Sequence, residues 1–217
     1  MQDEKAISYR LSPQQELVWT MRPDGPTDAG QLIVGLEGPV DIDRLRNAFS
    51  LLVDRHEILR TTYLRQPGMK TPLQVVRDAV PLDWEVADLS GLDPATLQAR
   101  MVAIAAAERG RSWDYENGPL LSARCLAMAA DRLTLVVTAA APCVDAGTLA
   151  TIAAELEAHY AGRAVDEQPL QYADFSEWQN QLAVADDEEA GAGRQFWSEA
   201  APGAKTMVPF MRAVAPA

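Results

Sequence analysis

Basic residues are scarce in this chain. Lys and Arg together number 19 against 31 Asp and Glu, which gives a formal net charge of −12 over 217 residues. A nucleic-acid surface needs clustered Lys and Arg, and an anionic membrane face attracts the same residues. The composition therefore argues against nucleic acid and membrane as partners. It remains compatible with simple solubility or with a basic patch on a partner protein.

Cysteine and long apolar runs are also in short supply. The only cysteines are Cys125 and Cys143, which can form one disulfide at most. We expect two buried free thiols in a reducing compartment. The opening "MQDEKAISYRL" lacks an apolar core of signal-peptide length, and no window approaches the length of a membrane span. These features predict a cytoplasmic protein.

Several common sites have no counterpart in the sequence. We find no phosphate-binding glycine loop, no cluster of residues at metal-ligand spacing, and no serine in the context that phosphopantetheine attachment requires. The sequence therefore predicts no cofactor and no metal.

Helical and strand patterns intermix along the whole chain. The clearest helix, after Asp41, carries an apolar stripe at spacings of three and four: Leu45, Phe49, Leu52, His56 and Leu59. A strand is predicted directly after it, at 61–63. The other predicted elements are a helix after Ser12 with Leu17 and Trp19 in reach of a core, strands in 30–38, 73–77 and 82–89, a helix from Asp93, a hairpin turning near Ala130–Asp131, a helix carrying Leu149, Ile152, Leu156 and Tyr160, and two short helices after Gln171 and Gly191. This order favours an α/β domain with a mixed sheet covered by helices.

The stretch "VVTAAAPCVDAGTLATI", from Val136 to Ile152, has the form of a strand that passes into a helix. Such junctions often present a catalytic residue. Cys143 is the one nucleophile-like side chain in it, and a catalytic thiol needs a base or a positive environment. Neither His56 nor His159 is placed to serve it by sequence position, so we interpret Cys143 as buried and inert. His159 is interpreted as a half-exposed helix residue.

Five short motifs occur in a fixed order along the chain. They are "LSPQQELVW" (11–19), "RHEILRTTY" (55–63), "WDYENGPLL" (113–121), "AAPCVDAG" (140–147), and "QYADFSEWQ" (171–179) with the later "RQFW". In this order they resemble the N-terminal lobe of a nonribosomal peptide synthetase condensation domain, with a chloramphenicol-acetyltransferase-like fold. The resemblance covers residues 11–202, with 1–10 as a lead-in and 203–217 as a linker or tail.

The resemblance places the family's His-His-x-x-x-Asp-Gly motif on "AAPCVDAG". Both histidine positions are alanine, Ala140 and Ala141, and Asp145 is followed by Ala146 before Gly147. In the family the second histidine positions or deprotonates the attacking amine, and such acid–base help contributes ~10²–10⁴-fold. We therefore expect no catalytic residue here. The heterocyclisation variant of the family would use Thr148, but it also needs an aspartate at position 140. The resemblance also implies a tunnel between two lobes, of which this chain covers the first.

The resemblance implies structural roles for the residues that remain. Asp145 would form an ion pair with Arg60, and it is also positioned to cap the helix that starts at Ala146. His56 would be packed and hydrogen-bonded in the core. Three residues of the fifth motif would pack the lobe together: Tyr172, Asp174 and Trp178.

Two functions follow from the resemblance. The first is a non-catalytic interaction or scaffold module for neighbouring adenylation or carrier-protein domains of a peptide synthetase, or for a trans-acting enzyme. The alternative is the acyl- or peptidyl-transferring half of a condensation enzyme that needs a second lobe and works without the histidine base. A binding protein outside the family is the residual case.

Overall fold

A computed structural model describes residues 7–21, 28–165, 168–186 and 188–200, with the backbone alone at 188–190. The described elements run in the order β1 (Ser8–Tyr9), α1 (Pro13–Thr20), β2 (Ala29–Glu37), α2 (Ile42–Arg55), β3 (Thr61–Leu64), β4 (Leu73–Val76), β5 (Asp83–Asp88), α3 (Pro94–Arg109), β6 (Leu121–Ala129), β7 (Arg132–Ala140), α4 (Ala146–Ala161), α5 (Tyr172–Val184) and α6 (Glu188–Ala200). The predicted α/β class, with mixed strands and helices, is confirmed.

A four-stranded sheet in the order β2-β7-β6-β5 forms the centre of the larger unit. The β6–β7 hairpin turns at Ala130–Asp131, as the sequence predicts, and β5 joins β6 in parallel. Residues Leu133 to Ala140 of β7 are all buried. This explains the nearly continuous apolar sequence of β7, since a central strand with both faces covered has no solvent side.

Helices cover the two faces of this sheet. The apolar stripes of α2 and α4 pack on the face that carries Cys125 and Leu135. Apolar residues of α3 pack on the opposite face, against Leu126 and Val136. Alternate strand residues therefore enter opposite layers, as strand geometry requires.

A second sheet has the order β1-β4-β3. Its first strand lies in the predicted lead-in, 1–10, where Ser8 and Tyr9 pair with β4. The expectation for Leu17 is wrong, because its side chain is exposed. Trp19 and Gln15 are the residues of α1 that enter the interior.

The helix α2 ends one residue before His56, earlier than the apolar stripe predicts. His56 has extended backbone angles, and a 3-10 helix, Glu57–Arg60, connects it to β3. The short connection redirects the chain without losing the buried position of Leu59.

The chain divides into two compact units, 1–180 and 181–217. Within the second unit, the Arg194 guanidinium donates to the carbonyl of Ala185 at 2.7 Å, and the rings of Phe196 and Trp197 meet edge to face. The predicted linker or tail at 203–217 lies outside the described residues.

Candidate functional site

The junction between β7 and α4 is built from a 3-10 turn, Ala141–Cys143. Ala140 ends the strand and is fully buried in an apolar cluster with Trp19, Tyr63 and Leu120. Ala141, one residue later, lines an open cavity of about 320 Å³. The two alanines therefore face different surroundings, and only the second is placed to meet a molecule in the cavity.

The cavity is walled by α1, the turn, the start of α4 and the start of α5. Its lining residues are Gln14, Gln15, Val18, Ile58, Ala141, Pro142, Cys143, Val144, Asp145, Thr148, Tyr172 and Phe175. Three of these can titrate: Cys143, Asp145 and Tyr172. Any proton transfer by the described walls of the cavity would have to use one of them.

Burial makes Cys143 a poor nucleophile. It raises the pKa of the thiol to about 12, and the nearby Tyr63 hydroxyl opposes this only in part. Since the thiolate is the reactive form, the group is inert at neutral pH. The structure thus supports the interpretation of Cys143 as a buried, unreactive thiol, and Cys125 is likewise buried and free.

Asp145 is the N-cap of α4. Its Oδ1 accepts the backbone N–H of Thr148 at 2.7 Å and the Thr148 hydroxyl at 2.8 Å. These hydrogen bonds lower the pKa of the carboxyl, the backbone bond being the larger cause. A carboxylate stabilised in its charged form is a weak base at neutral pH. Tyr172 is no better suited, because burial raises the pKa of its phenol.

The ion pair expected between Arg60 and Asp145 is absent from the described part of the chain. Arg60 instead donates to the carbonyl of Arg77 and lies 3.4 Å from Glu57 Oε1. Arg60 directly precedes β3, and Arg77 directly follows β4, the strand paired with β3. The carbonyl of Arg77 therefore lies beside Arg60 and accepts its guanidinium, which leaves Asp145 without this partner. The cap on α4 is confirmed, and the brace is not.

A neutral hydrogen-bond network fixes the back of the turn. The carbonyl of Pro142 lies 3.0 Å from Gln15 Nε2 and 3.1 Å from the Tyr63 hydroxyl. Gln15 Nε2 is also 3.0 Å from Gln74 Oε1, and its Oε1 accepts the backbone N–H of Ser12. All of these side chains are buried. Such a network holds one backbone conformation, because any shift leaves a buried polar group without a partner.

The same hydrogen-bond network includes residues at the start of α5. Gln74 Nε2 donates to the Ser176 hydroxyl at 3.2 Å, and Ser176 donates to the carbonyl of Arg10 at 2.8 Å. The hydroxyls of Tyr172 and Ser12 share a hydrogen bond at 2.8 Å. The fifth motif therefore helps to fix the first, which begins at Leu11.

The fifth motif packs through different residues than the sequence predicts. Tyr172 is half-buried, but Asp174 and Trp178 are exposed. Ala173 and Ser176 are the buried residues of this helix. The error has a simple cause: residues 173 and 176 lie three apart on one face, and the larger Trp178 lies beyond that face.

The two histidines lie away from the cavity. His56 Nε2 is 2.6 Å from Glu155 Oε2, a contact that joins α2 to α4. His56 is hydrogen-bonded, as expected, but it is half-buried and not part of the core, because it caps the helix instead of continuing its stripe. His159 is half-buried, and its Nε2 has no hydrogen-bond partner among the described residues.

Sequence reasoning missed Gln15, Tyr63 and Gln74 as the residues that fix the turn. One signal was present: Ser12 and Gln15 have the spacing of a capping box, which the structure contains in full. The long-range bonds to Tyr63 and Gln74 had no local signal.

Within the described ranges, no group of three or more His, Cys, Asp or Glu side chains could hold a metal ion. None of the described helices is long and apolar enough to cross a membrane.

Comparisons with curated proteins find synthetases that are much longer than this chain. Chondramide synthase cmdD of Chondromyces crocatus is 31% identical over 180 residues, which are 79% of this chain and 5% of the relative. Phosphinothricin tripeptide synthetase PhsC of Streptomyces viridochromogenes is 28% identical over 213 residues, 93% of this chain and 19% of the relative. The chain thus spans less than a fifth of either relative.

Solved structures share the fold. SgcC5 from Streptomyces globisporus is 27% identical with a TM-score of 0.75, over 89% of this chain and 46% of that one. The EpoB cyclization-docking bidomain from Sorangium cellulosum is 26% identical with a TM-score of 0.73, over 91% and 39%. The family model of the condensation domain matches residues 5–213. This chain therefore belongs to the condensation-domain family, and it is a partial-length member of the kind found in nonribosomal peptide synthetases.

Proposed function

We propose that this condensation domain is an interaction module without chemistry of its own at the β7–α4 junction. In this role it seats neighbouring adenylation or carrier-protein domains of a peptide synthetase, or recruits an enzyme that acts in trans. It would work in the cytoplasm, as its charge and composition favour.

The observation that carries this proposal is the set of titratable groups around the cavity. At the two positions where the family motif has histidines, the chain has methyl groups. Of the three groups that remain, Cys143 and Tyr172 have raised pKa values and Asp145 has a lowered one. An effective general base has a pKa near the operating pH, and these shifts lead away from it.

The rigid β7–α4 junction supports a role in binding, which depends on the shape of the surface. The turn is held by buried neutral hydrogen bonds, and the cap on α4 is intact. A complex of the X-domain and OxyB from teicoplanin biosynthesis contains a chain of this fold, at 22% identity and a TM-score of 0.71. That example supports the idea that the fold can present a surface to a separate protein.

A binding experiment with a loaded carrier protein tests the proposal. The full chain is mixed with a carrier protein that holds an aminoacyl thioester, and with a second carrier that holds an acyl thioester. We expect a complex by calorimetry, with both thioesters intact by mass spectrometry at a time when a competent condensation domain has consumed them. Consumption of the thioesters above the background rate contradicts the proposal, and so does the absence of a complex with carrier, adenylation and trans-acting partners alike.

A further inference from the structure

The helix α5 forms one wall of the cavity at the β7–α4 junction (the junction cavity). Tyr172 and Phe175, about one turn apart on α5, line this cavity together with Ala141 and Cys143. The centroids of the two aromatic rings lie 5.9 Å apart. The position of α5 therefore sets the width of the cavity.

Polar contacts hold this wall to the first motif. The Ser176 hydroxyl donates to the carbonyl of Arg10 at 2.8 Å, and the Asn180 amide donates to the carbonyl of Leu11 at 2.7 Å. The Arg10 guanidinium in turn donates to the Glu177 carboxylate at 3.3 Å, in a partly exposed ion pair. Each such contact contributes little net free energy, because water replaces the partner once the two surfaces separate.

Two further polar attachments lie at the start of the helix. The Gln171 side-chain amide donates to the carbonyl of Arg55 at 3.1 Å and accepts the N–H of Glu57 at 3.0 Å. One residue later, the hydroxyls of Tyr172 and Ser12 share their hydrogen bond at 2.8 Å. The wall is therefore fastened along its length by groups that water can also satisfy.

Apolar packing adds little to this attachment. Ala173 is the one buried apolar residue of α5, a helix that the structure describes over its whole length, whereas α2 buries five. The three buried apolar clusters of the described residues contain no member from α5. Since apolar burial is the dominant favourable term in packing, α5 is held less firmly than α2.

One polar atom of α5 opposes docking. Gln179 Oε1 is buried and has no hydrogen-bond partner among the described residues. A buried acceptor without a partner carries a free-energy penalty. That penalty disappears when α5 moves away and water reaches the amide, so one side chain of the wall favours its release.

We propose that α5 is a movable wall: over residues 172–180 it leaves the first motif and returns as a unit, without unfolding of the sheets, and so opens and closes the junction cavity. The hydrogen bonds favour the closed state, while the small apolar contact and Gln179 keep the open state within reach. A molecule that contacts Tyr172 or Phe175 in the cavity stabilises the closed wall, which couples occupancy to the position of α5. The device governs access to the cavity, whether or not chemistry takes place there.

The two native thiols distinguish opening of the wall from global unfolding. Cys143 lines the junction cavity, and Cys125 lies in the core of the central sheet. Burial raises the pKa of the first thiol to about 12 and of the second to about 11, so each reacts only after exposure. In the full chain treated with a small disulfide reagent, we expect Cys143 to react at least about tenfold faster than Cys125, with a weaker dependence on urea.

Amide hydrogen exchange by NMR assigns the opening to α5. The amides of residues 175–180 should exchange through one shared opening whose rate changes little at low urea concentrations. The amides of residues 48–53 in α2 should exchange only with global unfolding, which has a steep urea dependence.

Two variants shift the opening in opposite directions. Tyr172→Phe keeps the ring and removes the bond to Ser12, so exchange at 175–180 and labelling of Cys143 should accelerate by about three- to tenfold. Gln179→Leu removes the unpaired acceptor and should slow both rates by about the same factor. Gln181→Leu is the matched control, because Gln181 lies on the same helix and is exposed. Its replacement should leave both rates within about twofold of the parent.

Three results overturn the proposal. The first is labelling of Cys143 and Cys125 at one rate. The second is exchange at 175–180 with the same urea dependence as in α2. The third is a Gln179→Leu protein whose exchange at 175–180 is no slower than that of Gln181→Leu. The labelling rate of Cys125 reports global stability in each variant, so a general loss of stability is recognised separately. None of these measurements involves thioester turnover, so they are independent of the loss of chemistry.

Discussion

The two ends of the strand β2 lie in opposite kinds of surroundings. At Gly30 the strand lies against the β7–α4 junction, where a Cβ would come within 2.6 Å of Val144 Cγ2. At Gly35, on the open side, nothing lies within 4 Å of the same position. One strand thus joins a close-packed junction at Gly30 to open space at Gly35.

The buried network behind the junction should show the largest effect. Replacement Gln15→Leu keeps the volume but leaves Gln74, Tyr63 and the Pro142 carbonyl with fewer partners. We expect the free energy of unfolding to fall by about 2–4 kcal/mol, because several buried polar groups lose hydrogen bonds together.

Urea denaturation measures this change, and Gln14→Leu is the matched control. Gln14 is the preceding residue, of the same type, and exposed. Its replacement should alter stability by no more than about 0.5 kcal/mol. Equal losses in the two variants would show that the network does not hold the junction.

The two glycines of β2 test the comparison within one strand. Gly30→Ala should lower the free energy of unfolding by about 1–3 kcal/mol, because the added methyl group overlaps Val144 and must displace the turn. Gly35→Ala should be neutral or stabilising by up to about 1 kcal/mol, because the space is open and glycine is unfavourable in strands. Thermal unfolding of both variants measures the two changes. A larger loss of stability in Gly35→Ala than in Gly30→Ala would contradict the packing at Gly30.

The N-cap of α4 should contribute less. Asp145→Ala should lower the free energy of unfolding by about 1 kcal/mol, and Asp145→Asn by less, since asparagine also caps. The pKa of Asp145 is lowered in the folded state, so its stabilisation is present above the ordinary value of 3.8 and is lost as the pH falls through the folded value. Unfolding between pH 6 and pH 3 should therefore show a smaller pH dependence in Asp145→Asn; an unchanged dependence would mean that the cap bonds do not favour the charged carboxylate.

The exposed side of β2 should show the smallest effect on stability. The side chain of Ile33 on that side is 50% exposed. Ile33→Thr should change the free energy of unfolding by no more than about 0.5 kcal/mol, because little buried area is lost and threonine suits a strand. A loss as large as that of Gly30→Ala, measured by the same unfolding curves, would show that this side is part of the packed structure.

Local sequence patterns predicted most of the helices and strands. The stripe of α2 up to Leu52, the cap at Asp145 and the buried run of β7 each have a short-range signature, and each was confirmed. Strand β1 had none, since its two residues are ordered by pairing with β4, more than sixty positions along the chain. Contacts of that kind depend on the assembled sheets and leave no period in the sequence.

The candidate site was predictable in position and less so in its contacts. The motif order placed Ala141 at the second histidine position of the family motif, and the structure has Ala141 on the wall of a cavity. The predicted ion pair of Arg60 with Asp145 was wrong, because the guanidinium donates to the nearby backbone carbonyl of Arg77. Gln15, Tyr63 and Gln74 converge from three separate elements, so no single segment could reveal their network.

The central claim is that the junction keeps its frame and has lost its proton-handling groups. It is tested most directly by the rate at which the full chain joins aminoacyl and acyl thioesters on carrier proteins, measured beside Asp145→Asn and Cys143→Ser with folding verified for each. The account predicts the background rate in all three proteins. A turnover above background that falls by about tenfold or more in either folded variant would contradict it, because the residue changed would then be part of working chemistry.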